Sequence, residues 1–151
     1  MKLAIGSDHA GFELKAAVIE YLNKEYPAIE VMDKGTYSND SVDYPDLGLA
    51  VAEAVANGEA EKGILICGTG IGISIAANKV PGIRAANCHD KYTAQMCRQH
   101  NDANIMAFGS RVISKETAME MVKTYLETDY AGGRHACRVE KITEIEQKYC
   151  R

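Results

Sequence analysis

The sequence lacks any segment that would direct it into or across a membrane. Its apolar runs are short, whereas a membrane-spanning helix needs roughly 18 consecutive apolar residues. The first residues also lack the charged and then apolar pattern of a secretory signal peptide. We therefore expect a soluble, cytoplasmic protein that does not bind a membrane.

The cysteines lack the spacing of a disulfide framework or a structural zinc site. There are 5 of them, an odd number, and no two form a Cys-x-x-Cys pair. Cys88 and His89 are adjacent, but neighbouring ligands without a second pair are a poor zinc signature. We expect reduced thiols and no bound metal.

The charge balance argues against a general binder of nucleic acids. The chain has 17 basic and 21 acidic residues, so its formal net charge is −4. Such a balance disfavours binding to a phosphate backbone but allows a local cationic pocket. With 151 residues, 46% of them hydrophobic, the chain can bury the core of one domain, which we expect to span residues 1–151.

Short apolar strands alternate along the chain with amphipathic helices. The predicted strands are Lys2–Ser7, Ile29–Asp33, Gly63–Cys67, Ile83–Ala86 and Asn104–Phe108. Helical spacing of apolar residues predicts helices around residues 14–22, 47–55, 71–78, 91–99 and 118–126, and a last helix of about residues 138–149. This alternation is typical of an α/β fold, with helices on both faces of a parallel sheet.

Polar residues follow the ends of most of the predicted strands. They are Ser7, Asp8 and His9 after the first strand, residues 33–36 and 43–45 after the second, residues 67–69 after the third, and residues 109–111 after the fifth. In open α/β sheets, ligands bind beyond the carboxyl ends of the strands. We therefore expect these residues to gather at one edge of the sheet.

Cys67 stands between an apolar strand and a glycine-rich loop, Gly-Thr-Gly-Ile-Gly, that opens a helix. Free backbone N–H groups at a helix start bind anions, and their positive potential favours the thiolate form of a nearby cysteine. The same pattern, taken alone, also fits an ordinary turn with a buried, inert cysteine. It matches neither a Walker loop nor a dinucleotide fingerprint, so nucleotide binding is disfavoured.

Several motifs, in order along the chain, resemble one family. They are Ser-Asp8-His9-Ala-Gly-Phe, Asp43-Tyr44-Pro45, Cys67-Gly-Thr-Gly-Ile-Gly-Ile-Ser-Ile-Ala-Ala-Asn-Lys, Arg98-Gln-His100-Asn101-Asp-Ala-Asn, Phe-Gly-Ser-Arg111 and Gly-Gly-Arg134-His-x-x-Arg138. Together they resemble the type B ribose-5-phosphate isomerases over essentially the whole chain. The resemblance implies a three-layer αβα (Rossmann-like) fold whose five-stranded parallel sheet has the order 2-1-3-5-4. It also implies a homodimer whose active sites draw residues from both chains, with further pairing of dimers left open.

The family interconverts ribose 5-phosphate and ribulose 5-phosphate without a cofactor, in the non-oxidative branch of the pentose phosphate pathway. Moving a proton between C2 and C1 requires a base and donors for the enediolate oxygens. By resemblance Cys67 is the base, His100 opens the sugar ring and Thr69 assists. The residues implied in substrate binding are Asp8, Asn101 and Tyr44 for the sugar, the loop residues Gly68, Gly70, Ile71 and Gly72 for the enediolate, and Arg134 and Arg138, joined by His9 and Arg111, for the phosphate.

Two other functions stay open. Relatives on this scaffold isomerise galactose 6-phosphate or allose 6-phosphate, and one more carbon changes only the length of the pocket. A non-catalytic module that binds a sugar phosphate would use the arginines and the glycine loop without moving a proton. The presence of Cys67, Thr69 and His100 in one chain favours the pentose enzyme. We also expect the helix of about residues 138–149 to take part in dimer contacts.

Overall fold

Strands and helices alternate along the chain in the computed structural model, which describes residues 1–150. In chain order they are β1 (Lys2–Ser7), α1 (Phe12–Glu25), β2 (Glu30–Asp33), α2 (Tyr44–Ala56), β3 (Lys62–Cys67), α3 (Ile71–Ala77), β4 (Ala85–Asn87), α4 (Lys91–Gln99), β5 (Ile105–Gly109), α5 (Lys115–Glu127) and α6 (Ala136–Tyr149). Short 3₁₀ turns at His9–Gly11 and Gly133–His135 precede α1 and α6. Each predicted strand and helix is present.

The strands form one parallel sheet in the order β2-β1-β3-β5-β4, as predicted. The register pairs Ser7 of β1 with Ile66 of β3, and Cys67 of β3 with Gly109 of β5. The carboxyl ends of the three central strands therefore lie side by side. Because the residues that follow them share this edge, the local sequence after β1, β3 and β5 builds one surface.

Helices cover both faces of the sheet and bury two apolar cores. On one face α1, α4 and α5 enclose a core that includes Leu22, Phe108 and Tyr125. On the other face α2 and α3 enclose a core that includes Val51 and Ile73. Fully burying one such side chain is worth about 1.5–3 kcal/mol, so the two cores hold the helices firmly against the strands. The predicted three-layer αβα architecture is confirmed.

Local capping sets where the helices begin. Thr93 donates its backbone N–H to Asp90 Oδ1 at 2.7 Å, and Asp90 donates its own N–H to Thr93 Oγ1, which closes a capping box at the start of α4. Ser114 caps α5 by accepting from the N–H of Thr117 at 3.1 Å. Pro45 lies in the first turn of α2, where its missing N–H costs nothing.

Strand β4 differs from its predicted bounds. The expected strand was residues 83–86, whereas the observed one is Ala85–Asn87. Ile83 instead fills the core under α2 and α3 with 4% of its surface exposed, and Arg84 donates its backbone N–H to the Asn104 side chain at 2.8 Å. Ile83 and Arg84 therefore lie outside strand β4.

Helix α6 stands apart from both cores. None of its residues is buried, and Ile142, Ile145 and Tyr149 are exposed. One hydrogen bond, from the N–H of Gly82 to Glu146 Oε1 at 2.9 Å, ties it to the loop before β4. It begins at Ala136, slightly before the predicted start, because the turn Gly133–His135 runs directly into it. Within residues 1–150, no helix is long and apolar enough to cross a membrane.

Candidate active site

Cys67 ends β3 with its side chain almost fully buried, 4% of the residue being exposed. Its sulfur accepts a hydrogen bond from the N–H of Gly70, with a nitrogen-to-sulfur distance of 3.1 Å. This hydrogen bond holds the sulfur against the glycine loop that follows it. Gly70 can turn back in this way since its φ is +81° and a side chain there would clash with the backbone of Phe108.

The loop after Cys67 carries backbone N–H groups with no acceptor among residues 1–150. They belong to Gly68, Thr69, Gly72 and Ile73. Unpaired donors at the start of a helix create a positive potential that suits an oxyanion. The N–H groups of Gly68 and Gly72 are therefore free to donate to an enediolate oxygen, which is the role predicted for them.

Other N–H groups of this loop are already engaged. Gly70 donates to the Cys67 sulfur, and Ile71 donates to Thr69 Oγ1 at 3.2 Å, so their predicted contacts with substrate stay predictions. The hydroxyl of Thr69 keeps its own proton available while it accepts from Ile71. Thr69 itself is exposed, so this proton can reach a ligand above the loop.

Arg111 places a positive charge beside the same loop. Its N–H donates to the carbonyl of Gly68 at 3.0 Å. Its guanidinium lies against Gly68, since a Cβ added there would be 3.0 Å from Nη1. Arg111 forms no ion pair with the residues that the structure describes. An uncompensated cation beside Gly68 favours an anionic ligand at this loop.

Strand β1 brings Asp8 and His9 to this edge as predicted. The carboxylate of Asp8 accepts from the N–H of Gly11 at 3.1 Å and is held in place by burial. His9 Nδ1 accepts from the N–H of Val42 at 3.2 Å. In the neutral ring the proton therefore resides on Nε2, which leaves His9 one donor for a ligand.

Tyr44 joins the group from the start of α2. Its ring packs against the backbone of Gly72, because a Cβ added to that glycine would lie 2.6 Å from the ring. The side chain is still 41% exposed, so it covers part of the edge without being buried in it. The residues at the carboxyl edge that the structure brings together, here called the thiol group, are Asp8, His9, Tyr44, Cys67 to Gly72 and Arg111.

Lys15 supports this edge and was not among the predicted site residues. Its ammonium, 1% exposed, donates to Asp33 Oδ1 at 2.5 Å and to the carbonyl of Thr36 at 2.7 Å. The N–H of Thr36 in turn donates to the carbonyl of Ser7, next to Asp8. The sequence contains a signal for the burial of Lys15. Helical spacing places it on the same face as Gly11, Val18 and Leu22, which are all buried.

A second set of predicted residues lies around the end of α4. His100 follows α4 and stacks on His135, with ring centroids 4.2 Å apart and an angle of 18° between the rings. The pKa of His135 is lowered from its ordinary value. The largest cause is burial, and the nearby His100, Arg134 and Arg138 lower it further. We call His100, Asn101, Arg134, His135 and Arg138 the histidine group.

The histidine group is strongly cationic. Arg134 and Arg138 are exposed and form no ion pair with the described residues. Arg138 Nη1 lies 3.5 Å from the carbonyl of Arg134, so the two arginines are close together. Two arginines four residues apart, without acidic partners among the described residues, suit a phosphate dianion.

The two groups occupy opposite edges of the sheet in this chain. Helix α4 starts beyond the carboxyl end of β4 and runs back, so His100 lies before the start of β5. The carbonyl of Asn104 accepts from the N–H of Gly63, the second residue of β3, whereas Cys67 is the last residue of that strand. Gly63 and Cys67 are four residues apart in the strand. At ~3.3 Å per residue, this corresponds to a distance of ~13 Å along β3. Cys67 and His100 of one chain therefore do not meet.

No three His, Cys, Asp or Glu side chains within residues 1–150 are grouped to bind a metal ion. Cys88 is buried, while the neighbouring His89 is exposed and lies 3.6 Å from Asp90. The chemistry that the two groups offer is that of a thiol, imidazoles, backbone donors and arginines.

Comparison with known proteins gives concordant results. A family model described as "Ribose/Galactose Isomerase" matches residues 3–142. Ribose-5-phosphate isomerase B of Escherichia coli (strain K12) is 54% identical over 147 residues, which cover 97% of this chain and 97% of the relative. A D-erythrulose-4-phosphate isomerase of Pectobacterium atrosepticum is 43% identical over 152 residues, covering 98% and 97%.

A solved structure agrees with these sequence matches. The structure of ribose-5-phosphate isomerase B from Clostridium thermocellum superimposes with a TM-score of 0.96 at 59% sequence identity, over 99% of each chain. Similarity of this extent includes both the thiol group and the histidine group.

Proposed function

Since the chain belongs to the ribose/galactose isomerase family, we propose that it is a sugar-phosphate isomerase that interconverts D-ribose 5-phosphate and D-ribulose 5-phosphate. The observation that carries the proposal is the Cys67 sulfur, which accepts the Gly70 N–H beside unpaired amides of the same loop. Relatives named for ribose 5-phosphate are 54% and 59% identical, which favours the pentose over the hexose phosphates.

In the proposed reaction the Cys67 thiolate takes the proton from C2 of the open-chain aldose. The C2–H electrons form the C1–C2 double bond, and the C1 oxygen becomes the enediolate oxygen. The N–H groups of Gly68 and Gly72 donate to this oxygen as its charge develops. The Cys67 thiol then returns its proton to C1, the C2 hydroxyl proton passes to the C1 oxygen, and the ketose is formed.

Ring opening must precede this step, because ribose 5-phosphate is mostly cyclic. We assign it to His100, whose imidazole gives a proton to the ring oxygen while the anomeric hydroxyl loses one. Thr69, whose hydroxyl keeps its proton available, assists. Asp8 and Asn101 hold sugar hydroxyls, and Tyr44 covers the sugar from α2.

Because Cys67 and His100 lie at opposite edges of one sheet, the proposed site needs two copies of the chain. The histidine group of one protomer faces the thiol group of its partner, and a two-fold axis then creates two equal sites. The exposed apolar residues Ile142, Ile145 and Tyr149 of α6 supply part of the dimer contact. Pairing of dimers remains compatible with this arrangement.

The phosphate is held by charges from both protomers. Arg134 and Arg138 of one protomer offer two guanidinium forks, and His9 and Arg111 of its partner complete the site. No cofactor takes part in this scheme. We also propose that the enzyme acts in the cytoplasm, in the non-oxidative branch of the pentose phosphate pathway, since the reducing cytosol keeps a thiol such as Cys67 in its free form.

A turnover assay tests the proposal. Wild type, Cys67→Ala and a control, Cys150→Ala, are compared on ribose 5-phosphate, allose 6-phosphate, galactose 6-phosphate and erythrulose 4-phosphate, in EDTA. We expect the pentose to have the highest kcat/KM, with Cys67→Ala lowering kcat by at least about 10³-fold and Cys150→Ala unchanged. Preference for a hexose or tetrose phosphate would leave the isomerase mechanism as proposed but would assign a different substrate.

The alternative of a non-catalytic sugar-phosphate binder predicts a different result. In deuterated water an enediolate mechanism places deuterium on C1 of the ketose. Direct return by Cys67 of the proton that it took from C2 lowers the amount of deuterium incorporated. A binding module leaves the sugar unlabelled and unchanged. Full turnover in the Cys67→Ala variant would contradict the assigned base.

A further inference from the structure

Arg84 lies between α3 and β4, outside the thiol group and the histidine group. Its guanidinium donates hydrogen bonds to the loop that follows His100. Its Nε donates to the carbonyl of Asn101 at 2.9 Å, and its Nη2 donates to the carbonyl of Asp102 at 3.0 Å. The same Nη2 is 3.4 Å from Asp102 Oδ2. One side chain therefore holds two consecutive carbonyls of this loop.

The loop is also held from its other side. Arg98, with 7% of its surface exposed, donates to Asp102 Oδ1 at 2.9 Å and to the carbonyl of Ala103 at 2.8 Å. The carboxylate of Asp102 thus lies between two guanidinium groups. Asp102 has a φ of +46°, a conformation that residues other than glycine rarely adopt and that persists only where surrounding contacts impose it.

Asn104 fastens the loop to the segment that carries Arg84. Its Oδ1 accepts from the Arg84 N–H at 2.8 Å, and its Nδ2 donates to the carbonyl of Gly82 at 2.8 Å. The residues after His100 are therefore linked to the start of β4 by backbone and side-chain hydrogen bonds. On its other side His100 is fixed to α4 by its own N–H, which donates to the carbonyl of Met96 at 2.8 Å.

From this network we infer that Arg84 is a positioning residue for His100 and Asn101. It acts through its hydrogen bonds to the backbone carbonyls of residues 101 and 102. The inference rests on the proposed function, in which His100 opens the sugar ring and Asn101 binds a hydroxyl. Arg84 makes no hydrogen bond to the side chain of either residue. Misplacing a proton-transfer group by about 1 Å can cost about 100-fold in rate, so a loop with a left-handed residue needs such support.

The two directions of the reaction separate positioning of His100 from general damage. Ribose 5-phosphate must be opened before it reacts. Ribulose 5-phosphate is already open, because its C5 oxygen carries the phosphate and no five-membered ring can close on C2. At saturating substrate, a defect of His100 therefore lowers kcat for the aldose far more than kcat for the ketose, whereas loss of folded enzyme lowers both equally.

The experiment measures initial rates in both directions for wild type, Arg84→Gln, Arg84→Lys, His100→Asn and the double variant Arg84→Gln/His100→Asn. Lys79→Gln, which removes an exposed charge, is the control. At saturating substrate we expect Arg84→Gln to lower kcat for ribose 5-phosphate by about 10- to 100-fold and kcat for ribulose 5-phosphate by less than about 3-fold. Arg84→Lys should show the same asymmetry with a smaller loss, since an ammonium keeps the charge but not the fork.

The double variant supplies the decisive comparison. If Arg84 acts through His100, the aldose kcat of Arg84→Gln/His100→Asn will equal that of His100→Asn within about 2-fold. Equal losses in both directions, or multiplied losses in the double variant, would overturn the inference. Should Arg84→Gln not fold, Arg84→Lys takes its place in the cycle. Wild type without pentose turnover would instead refute the proposed function.

Discussion

Mixing two inactive variants tests whether each site is built from two protomers. Cys67 ends β3, while His100 lies before β5, ~13 Å away along the strands of the same protomer. We expect Cys67→Ala and His100→Asn, each nearly inactive on ribose 5-phosphate by itself, to regain activity when their subunits are exchanged. In a mixed dimer one site receives both substitutions and the other receives neither.

The expected magnitude follows from counting sites. Random exchange of equal amounts places about half of the protomers in mixed dimers, and one of the two sites in each is intact. The mixture should therefore reach about one quarter of the wild-type rate per protomer. A site contained within one protomer would give no gain, because every site would then carry one of the two substitutions.

The assay exchanges the subunits by mild denaturation and refolding, and then measures the conversion of ribose 5-phosphate. Distinct affinity tags allow the mixed dimer to be isolated and its amount determined. Cys150→Ala mixed with His100→Asn is the control, because about half of its sites are intact both before and after exchange, so its activity shows how much enzyme is recovered on refolding. Mixed dimers that are isolated and remain inactive would refute the reasoning from sheet edges.

Three further outcomes are expected. Gly70→Ala should destabilise the protein by about 2 kcal/mol or more in urea unfolding and abolish turnover, because the residue has a positive φ and its Cβ would lie 2.8 Å from the backbone of Phe108; a stable, active variant would contradict this. Lys15→Met should cost about 1–3 kcal/mol of stability and raise KM, since the loop it holds borders the thiol group; an unchanged KM would separate Lys15 from the site. The pKa of His135 is lowered from 6.5, so the stability linked to its neutral form is present above pH 6.5 and declines as the pH falls. His135→Gln should remove that decline in Tm between pH 7 and pH 5, whereas the same slope in wild type and variant would exclude His135 as its source.

The fold could be predicted from the sequence because its signals are local. Apolar runs such as that of β3 and helical stripes such as that of α5 depend on neighbouring residues alone, and their alternation indicates a parallel sheet. The displaced start of β4 could not be predicted. Ile83 is apolar enough for a strand, but its place in the core under α2 and α3 is decided by residues far away in the chain.

The candidate site was predictable only in part. Cys67 and its glycine loop are contiguous, so the strand, turn and helix that shape them are encoded in one segment. Lys15 and Arg84 were missed, because each acts on a partner far away along the chain. Lys15 reaches Asp33 and Thr36, and Arg84 reaches Asn101 and Asp102.

The sequence by itself determined which chemical groups this protein has and which strands and helices carry them, since those depend on residue type and short-range spacing. Only the tertiary structure decided which of these groups meet. A helix that returns from the carboxyl edge of a parallel sheet delivers its last residues to the opposite edge, and so it separates His100 from Cys67. Contacts over such separations arise from the packing of the whole chain, which no short segment encodes.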